Sequence, residues 1–286
     1  MTVAAYAIIY LVWGSTYLAI SVAVQSIPPL LMMGLRCSAA GLLLLAWAAI
    51  RGARANVRQW THAAIAGALM FAVPYGALAW AEQRIPSGVA ALLSATSPFW
   101  LTAFEWSQGR RPSGRTIAGL AVGLAGVFVL VGRGAGGTLD AAGIVAILGS
   151  AASWAAGSLY ARRSHMPRSV ALSAGMSLVS GGALLLMGSW SARELAHFTI
   201  GQVSSISSVA LAYLVVFGSL VGFTAYSWLM RAAPASRVAT HAYVNPLVAM
   251  ALGSAIAGEQ FTATIGVGGC VIATGVAIAL AGRAHA

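Results

Sequence analysis

The amino-acid sequence predicts an all-α polytopic membrane protein with ten transmembrane helices, and three observations lead to that prediction. First, 59% of the 286 residues are hydrophobic and only 7% are charged, whereas a soluble domain has about 25% charged residues. Second, the apolar residues form ten blocks, and a spanning helix needs roughly 20 such residues. Third, the blocks are evenly apolar, without the alternation that barrel strands show. The blocks are 3–23, 29–50, 61–82, 86–107, 115–132, 140–161, 168–189, 206–230, 235–257 and 263–282.

The distribution of basic residues predicts how the chain sits in the membrane. All 16 are arginines, and with a cytoplasmic N-terminus twelve lie in inner loops or the tail, three in outer loops and one inside a block. This positive-inside bias predicts that both termini are cytoplasmic. A net charge of +11 would indicate nucleic acid in a soluble protein, but here the arginines meet anionic headgroups, so no nucleic-acid partner is expected. The inner arginines are Arg51, Arg54, Arg58, Arg110, Arg111, Arg115, Arg162, Arg163, Arg168, Arg231, Arg237 and Arg283, and the outer ones are Arg84, Arg133 and Arg193.

Turn and cap signals mark the ends of several helices. The Pro28-Pro29 pair separates the first two blocks, and Pro86 opens the fourth, where a missing N–H has no cost. The longest loop joins the seventh and eighth blocks. Within it, Ser191 and Glu194 have the spacing of a capping box, which predicts a short helix on the outer membrane surface.

The two halves of the chain resemble each other, which predicts two five-helix repeats, 1–133 and 134–286. Prolines twelve residues apart recur at an offset of 148, and three glycines recur at an offset of 149. Because five is odd, the second repeat enters the membrane inverted, and inverted repeats with a site between them are typical of transporters. An inert duplicated scaffold is the alternative, but alternating access uses this symmetry, which favours transport. The matched residues are Pro86, Pro98, Gly109, Gly119 and Gly126 with Pro234, Pro246, Gly258, Gly268 and Gly275.

Five short motifs resemble the EamA-type members of the drug/metabolite transporter (DMT) superfamily. The motifs are Trp13-Gly14-Ser15-Thr16-Tyr17, Leu35-Arg36, Ser97-Pro98, Asn245-Pro246 and Gly258-Glu259. The resemblance covers the whole chain and points within that family to the YddG-type amino-acid exporters. It implies ten helices in inverted repeats, export of small metabolites, and a central cavity enclosed by helices 1, 3, 4, 6, 8 and 9. One departure is Gly109-Arg110, where the family often has an acid, so a mechanism that needs a symmetric pair of acids is in doubt.

Pro98 and Pro246 are the predicted hinges of the transport cycle. An internal proline removes one helical hydrogen bond and frees a carbonyl about one turn earlier, and in a membrane that carbonyl needs a partner or a water-lined cavity. A kink that only shapes packing is the alternative, but the equivalent positions in both repeats favour a cavity. Asn245 precedes Pro246, and His241 lies one turn before Asn245 on a similar face, so both are predicted to bind substrate.

Aromatic residues are the other predicted substrate contacts. Tryptophan and tyrosine usually form belts at the membrane surface, but mid-helix rings fit this interpretation poorly, because the N–H or O–H needs a partner there. A cavity lined with rings suits a small molecule with an apolar side chain and an ammonium, through cation–π contacts of about 0.5–2 kcal/mol each. The predicted aromatic contacts are Trp13, Tyr17, Tyr75, Trp100 and Trp154.

Arg36 lies inside the second apolar block, about 12 Å from its outer edge by helix rise. An arginine at depth costs about 3 kcal/mol on insertion scales, so a partner is expected, although the sequence identifies none. A structural clamp between helices is favoured over a substrate ligand. Glu105 lies near the inner end of the fourth block and Glu82 at the outer end of the third, so neither has the midplane position of a proton carrier in a strictly proton-driven pump. Proton coupling through His241 or Glu82 is an open alternative, and facilitated exchange or weak coupling is favoured.

Together these features predict a bacterial inner-membrane exporter of small metabolites, with apolar or aromatic amino acids as the expected cargo, that works by alternating access. The chain has no Walker motif, no Gly-x-Ser-x-Gly elbow and no cluster of metal-ligating residues. No enzyme activity, metal or cofactor is therefore expected. The expected partners are the small-molecule substrate and the lipid bilayer, and a monomer suffices for the mechanism. The alternatives are another cargo on the same fold (a nucleotide sugar, a purine or an amphipathic drug), a channel, or an intramembrane enzyme.

Overall fold

The computed structural model describes residues 2–109, 111–132, 140–196, 198–232, 238, 241–260 and 262–283. Over these residues the chain is helical and contains no strand. Seven of the helices are long and apolar enough to cross a membrane, and three more carry shorter apolar stretches. The prediction of an all-α polytopic membrane protein is confirmed.

The described residues form ten long helices, which we number α1 to α10, and two short 3-10 turns, Glu194–Ala196 and Ile200–Gln202, between α7 and α8. The first half contains α1 (Thr2–Ala23), α2 (Pro29–Ile50), α3 (Val57–Ala81), α4 (Ser87–Ser107) and α5 (Gly114–Gly132). The second half contains α6 (Ala141–Arg163), α7 (Val170–Ser191), α8, α9 (His241–Ala257) and α10 (Ala263–Arg283). Three consecutive pieces make up α8, namely Ser205–Tyr213, Leu214–Val221 and Gly222–Ala232. The predicted start of the ninth helix, with Pro234, lies outside the described residues.

One boundary differs from the prediction for a clear reason. The third helix begins at Val57 rather than at residue 61. Asn56 accepts a hydrogen bond from the Gln59 backbone N–H at 2.9 Å, and the Gln59 side chain accepts one from the Asn56 N–H at 3.1 Å. This reciprocal capping box satisfies two N–H groups that a helix start leaves free, so a polar turn precedes the apolar block.

Two helices at equivalent positions in the two halves contain a π-helical turn, Ala68–Ala72 in α3 and Leu214–Val221 in α8. Such turns are rare and frequently mark functional sites. Each is joined to a neighbouring helix through a backbone carbonyl. Trp13 in α1 donates from Nε1 to the Gly218 carbonyl at 3.1 Å, and Ser153 in α6 donates from Oγ to the Leu69 carbonyl at 2.8 Å. The sequence analysis did not predict these turns.

Two helix pairs form the most closely packed flanks of the bundle, α5 with α10 and α2 with α7. In the first pair, a Cβ atom added at Gly119 would overlap the backbone of Ala279, and one added at Gly275 would overlap the backbone of Gly123. Outward residues of this pair are exposed, Phe128 by 79% for example. The glycines and alanine at this contact therefore let the two backbones approach closely, and the pair lies at the periphery of the bundle.

Candidate functional site

A cavity of about 1030 Å³ lies between the two halves of the chain. The six helices that the resemblance implied, α1, α3, α4, α6, α8 and α9, all contribute to its lining. Further contributions come from Arg36 in α2, Thr116 in α5 and the residues Arg111, Pro112 and Ser113 of the α4–α5 loop. The volume is at the upper end of the roughly 300–1,000 Å³ that small-molecule sites occupy, so the cavity can hold a metabolite together with water.

The two ends of the bundle differ in charge and in access to the cavity. We call the end with the α2–α3, α4–α5 and α6–α7 loops the arginine-rich end, and the end with Glu82, Asp140, Glu194 and Glu259 the acidic end. Glu105, Arg111 and Arg162 line the cavity at the arginine-rich end, and both of these arginines are exposed. Towards the acidic end the described lining stops at Ile20, Leu78 and Ala91. The cavity therefore opens at the arginine-rich end.

Aromatic rings form one wall of the cavity, which we call the aromatic wall and which consists of Trp13, Tyr17, Tyr75, Trp154, Tyr226 and His241. Tyr75 and Trp154 lie parallel, with ring centroids 6.4 Å apart and an interplanar angle of 7°. Phe71 meets both edge-on, at 5.5 and 5.9 Å. Trp13 packs on Tyr226 at 5.1 Å and on His241 at 5.2 Å. Edge-to-face and offset arrangements of this kind hold rings in fixed positions, so the wall is rigid and apolar.

Most of the predicted site residues meet at this cavity. Those that line it are Trp13, Tyr17, Arg36, Tyr75, Pro98, Trp154, His241, Asn245 and Pro246. Trp100 is not among the lining residues, and its ring lies 6.4 Å from that of Phe104 on the same helix. The structure also brings Glu105, Arg111 and Arg162 to the cavity, and the sequence analysis had assigned the two arginines to the membrane surface.

Asn245 and His241 are engaged with backbone carbonyls. With its amide nitrogen turned towards α1, Asn245 donates to the carbonyls of Ile9 at 3.2 Å, Tyr10 at 3.3 Å and His241 at 3.1 Å. His241 Nδ1 donates to the Val238 carbonyl at 2.9 Å. Asn245 therefore ties α9 to α1 one residue before Pro246, and this tie could not be read from the sequence.

The two predicted hinges have different local structures. Pro246 lies inside α9, which continues through it. Pro98 lies in the first turn of the piece Ser97–Ser107, after α4 is interrupted by a turn at residues 95–96. A first-turn proline fits a helix without loss of a hydrogen bond. The two positions are thus equivalent in sequence but not in conformation.

Arg36 has the partner that the sequence did not identify. Its side chain is 3% exposed, and Nε donates to the Ser219 hydroxyl in α8 at 3.1 Å. Nη1 lies 3.8 Å from the Met33 sulfur, and the guanidinium carbon lies 4.8 Å from the centre of the Tyr75 ring. Arg36 therefore joins α2 to the π-helical turn of α8 and also faces the aromatic wall.

Carboxylates of the second half close the acidic end by binding helix starts of the first half. Glu259 accepts hydrogen bonds from the backbone N–H groups of Ser87 at 2.8 Å and Gly88 at 3.2 Å. Glu194 accepts them from Leu30 at 3.2 Å and Leu31 at 3.0 Å. A carboxylate at a helix N-terminus satisfies free N–H groups and the helix dipole. The sequence had predicted that Glu194 forms a capping box with Ser191 in the same loop. Its carboxylate instead caps the distant helix α2.

Glu82 lies at the acidic end, directly after the span Val57–Ala81. Its side chain is 7% exposed, and neither carboxyl oxygen has a hydrogen-bond partner among the described residues. Burial raises the pKa of this carboxyl well above its usual range, the Glu259 carboxylate raises it further, and the positive charge of Arg36 opposes both effects. The surroundings of Glu82 therefore favour the protonated form of its carboxyl.

Comparison with known proteins shows that the chain is similar to membrane transporters. The EamA-like transporter family matches residues 1–132 and 141–281. The chain is 37% identical over 260 residues to the "Uncharacterized inner membrane transporter YedA" of Escherichia coli (strain K12), covering 89% of this chain and 82% of that protein. It is 27% identical over 288 residues to the "Probable amino-acid metabolite efflux pump" of Salmonella typhimurium (strain LT2), covering 95% and 92%. One crystal structure shares the fold with a TM-score of 0.68 at 21% identity, covering 99% of this chain and 98% of that one.

The helical bundle, the central cavity and these similarities define a polytopic membrane transporter. The chain belongs to the EamA-like transporter family.

Proposed function

We propose that this protein exports small metabolites, with apolar or aromatic amino acids as the first candidates, by alternating access through the central cavity. The observation that carries the proposal is the asymmetry of the cavity. It is lined by aromatic rings, opens at the arginine-rich end, and is closed at the acidic end by contacts between the two halves. A transporter needs a site near the membrane centre that is open to one side at a time.

The arginine-rich end is cytoplasmic in this proposal, and the protein lies in the bacterial inner membrane. The positive-inside rule supports the orientation, and the name of the relative YedA supports the location. The structure then represents the inward-facing state, from which substrate enters. The two inverted repeats are 1–133 and 134–286, and the two separate matches to the family support this division.

The proposed substrate site is the aromatic wall. Trp154, Tyr75, Trp13, Tyr17 and His241 offer flat apolar surfaces and few hydroxyls. Such a wall binds aromatic or aliphatic side chains through apolar and ring-to-ring contacts. The relative named as an efflux pump for amino-acid metabolites supports this class of cargo. The relatives are named as transporters, which supports a transport function rather than an enzymatic one.

A second cargo is favoured by one specific observation. Arg36, Arg111 and Arg162 line the cavity, whereas Glu105 is the one acid among its described lining residues. This excess of positive charge also suits a phosphate-bearing cargo such as a nucleotide sugar.

A counterflow assay in proteoliposomes separates the two cargoes. Liposomes loaded with unlabelled compound should accumulate the same labelled compound when it is carried. We expect accumulation of phenylalanine, tryptophan or leucine, and none of a nucleotide sugar. Accumulation of the nucleotide sugar alone would replace the first proposal by the second, and accumulation of neither would argue against both.

A further inference from the structure

We propose that the Arg36 guanidinium binds the carboxylate of the transported molecule, so that a free carboxylate is a requirement for recognition. This inference rests on the proposed function and names the chemical group that the cavity selects. It assigns a second role to Arg36 beside the contact with Ser219. The substrate class becomes aromatic or apolar carboxylates, amino acids included.

The first argument is the hydrogen bonding of Arg36. Nε is committed to the Ser219 hydroxyl at 3.1 Å. Nη1 has only the Met33 sulfur at 3.8 Å, and thioether sulfur is a weak acceptor. Among the described residues, Nη2 has no hydrogen bond and no carboxylate lies within 4.0 Å of the guanidinium. The two terminal nitrogens of the guanidinium, Nη1 and Nη2, are therefore available to donate hydrogen bonds to a ligand.

The second argument is burial. A charged group that is 3% exposed has lost most of its water, and an unpaired buried charge is costly. A ligand carboxylate would compensate for this loss, because the two terminal nitrogens of arginine match the two carboxylate oxygens in a bidentate pair. The bond to Ser219 fixes the orientation of the guanidinium beforehand, so less freedom is lost when the ligand binds.

The third argument is the surroundings of the available nitrogens. Arg36 lines the cavity, and the Tyr75 ring lies 4.8 Å from its guanidinium carbon. Trp154 lies parallel to Tyr75. A molecule whose carboxylate binds Arg36 therefore places its apolar part against the aromatic wall. Glu105, the one acid among the described lining residues, lies at the arginine-rich end, so no lining acid near Arg36 favours a ligand that carries only an amine.

The test compares ligands that differ in one group. Purified protein in detergent is titrated with phenylalanine, 3-phenylpropanoate and phenylalaninamide, and binding is followed by tryptophan fluorescence. We expect both carboxylates to bind about tenfold tighter than the amide, or more, because the neutral amide cannot accept the two charge-assisted hydrogen bonds that a carboxylate accepts from arginine. Arg36→Gln should abolish this preference, and Arg36→Lys, which keeps the charge without the fork, should retain part of it.

Two further variants separate a ligand role from the clamp. Arg163→Gln removes an equal charge at the arginine-rich end but outside the cavity lining, and should leave the preference for carboxylates within about twofold. Ser219→Ala removes the clamp partner and should retain most of the preference. Equal binding of acid and amide by the unaltered protein, no binding of any carboxylate, or a preference that survives in Arg36→Gln would each overturn the inference. If binding shows the preference but proteoliposomes transport no amino acid, the proposed function fails while this inference stands.

Discussion

The Glu259 carboxylate accepts a 2.8 Å hydrogen bond from the Ser87 backbone N–H, which joins the loop between α9 and α10 to the first turn of α4. The same carboxylate reaches the Gly88 N–H at 3.2 Å. A Cβ atom added at Gly88 would lie 3.6 Å from the Glu259 Oε2 and closer still to Met250. This contact links the two halves of the chain where the cavity is closed, so breaking it should favour the opposite conformation.

Glu259→Gln should raise the fraction of molecules open at the acidic end. A neutral amide loses the charge–dipole term and offers one acceptor oxygen for two N–H groups, so the population should rise about fivefold or more. The measurement is labelling of Ala91→Cys, in a background without Cys37 and Cys270, by an impermeant maleimide added to intact cells. Asp140→Asn is the control, because its ion pair with Arg84 is long at 3.9 Å and partly exposed, and should change labelling little. Unchanged labelling in Glu259→Gln would show that this contact does not hold the gate.

Trp154→Ala should weaken the apparent affinity for aromatic amino acids by about tenfold, because the substrate loses one face of the aromatic wall. Trp100→Ala is the matched control, since Trp100 lies outside the cavity lining, and should change the apparent affinity by less than about twofold. Initial rates of counterflow over a range of substrate concentrations measure both. Equal losses in the two variants would mean that the rings act through the fold rather than on the substrate.

Trp100 also shows what the sequence could and could not predict. Ser97, Leu101 and Glu105 are spaced four residues apart and line the cavity, as one face of a helix should. Trp100 lies off that face. The sequence does not show which face of α4 points towards the cavity, so Trp100 was predicted as a substrate contact from its aromatic character alone. The ten helices were predictable because the bilayer sets the apolar length of a span and the positions of the arginines. These constraints apply along the whole chain and do not depend on which residues later make contact.

The contacts that shape the site depend instead on residues distant in sequence. Arg36 and Ser219 are separated by 183 residues, and the carboxylate caps by Glu194 and Glu259 join loops of one half to helices of the other. The π-helical turns of α3 and α8 have no local signal, because their carbonyls bond to side chains on α6 and α1. Tertiary packing selects such features, so hydropathy and spacing carry no information about them.

Pro246→Ala should slow efflux more than Pro98→Ala. Pro246 lies inside a continuous helix, where alanine restores a hydrogen bond and stiffens α9. Pro98 opens a helical piece after a break, where alanine changes the backbone little. Efflux from preloaded proteoliposomes should fall about threefold or more in Pro246→Ala and less in Pro98→Ala. Unaltered efflux from both variants would remove the hinge role of either proline.

Glu82→Gln should flatten the dependence of stability on pH. The pKa of Glu82 is raised above its ordinary value of 4.5, so the folded protein holds a proton that the unfolded chain releases. Stability is therefore highest below that ordinary value and falls as pH rises towards the raised pKa. Between about pH 5 and about pH 8, the denaturation temperature in detergent should fall more for the unaltered protein than for Glu82→Gln. Glu105→Gln, which removes a partly exposed carboxyl, should show the same steep fall in denaturation temperature as the unaltered protein. An equal fall in all three proteins would contradict the raised pKa of Glu82.

Gly119→Ala should destabilise the protein, because the new methyl group would overlap the backbone of Ala279 where α5 meets α10. Overpacking of this kind costs about 1–3 kcal/mol. Gly114→Ala is the matched control on the same helix, since no atom lies within 4 Å of a Cβ added there, and alanine is the better helix former. Thermal denaturation in detergent should show a lower midpoint for Gly119→Ala and an equal or higher one for Gly114→Ala. A normal midpoint in Gly119→Ala would mean that α5 and α10 can move apart without cost, and that their close contact at Gly119 does not stabilise the protein.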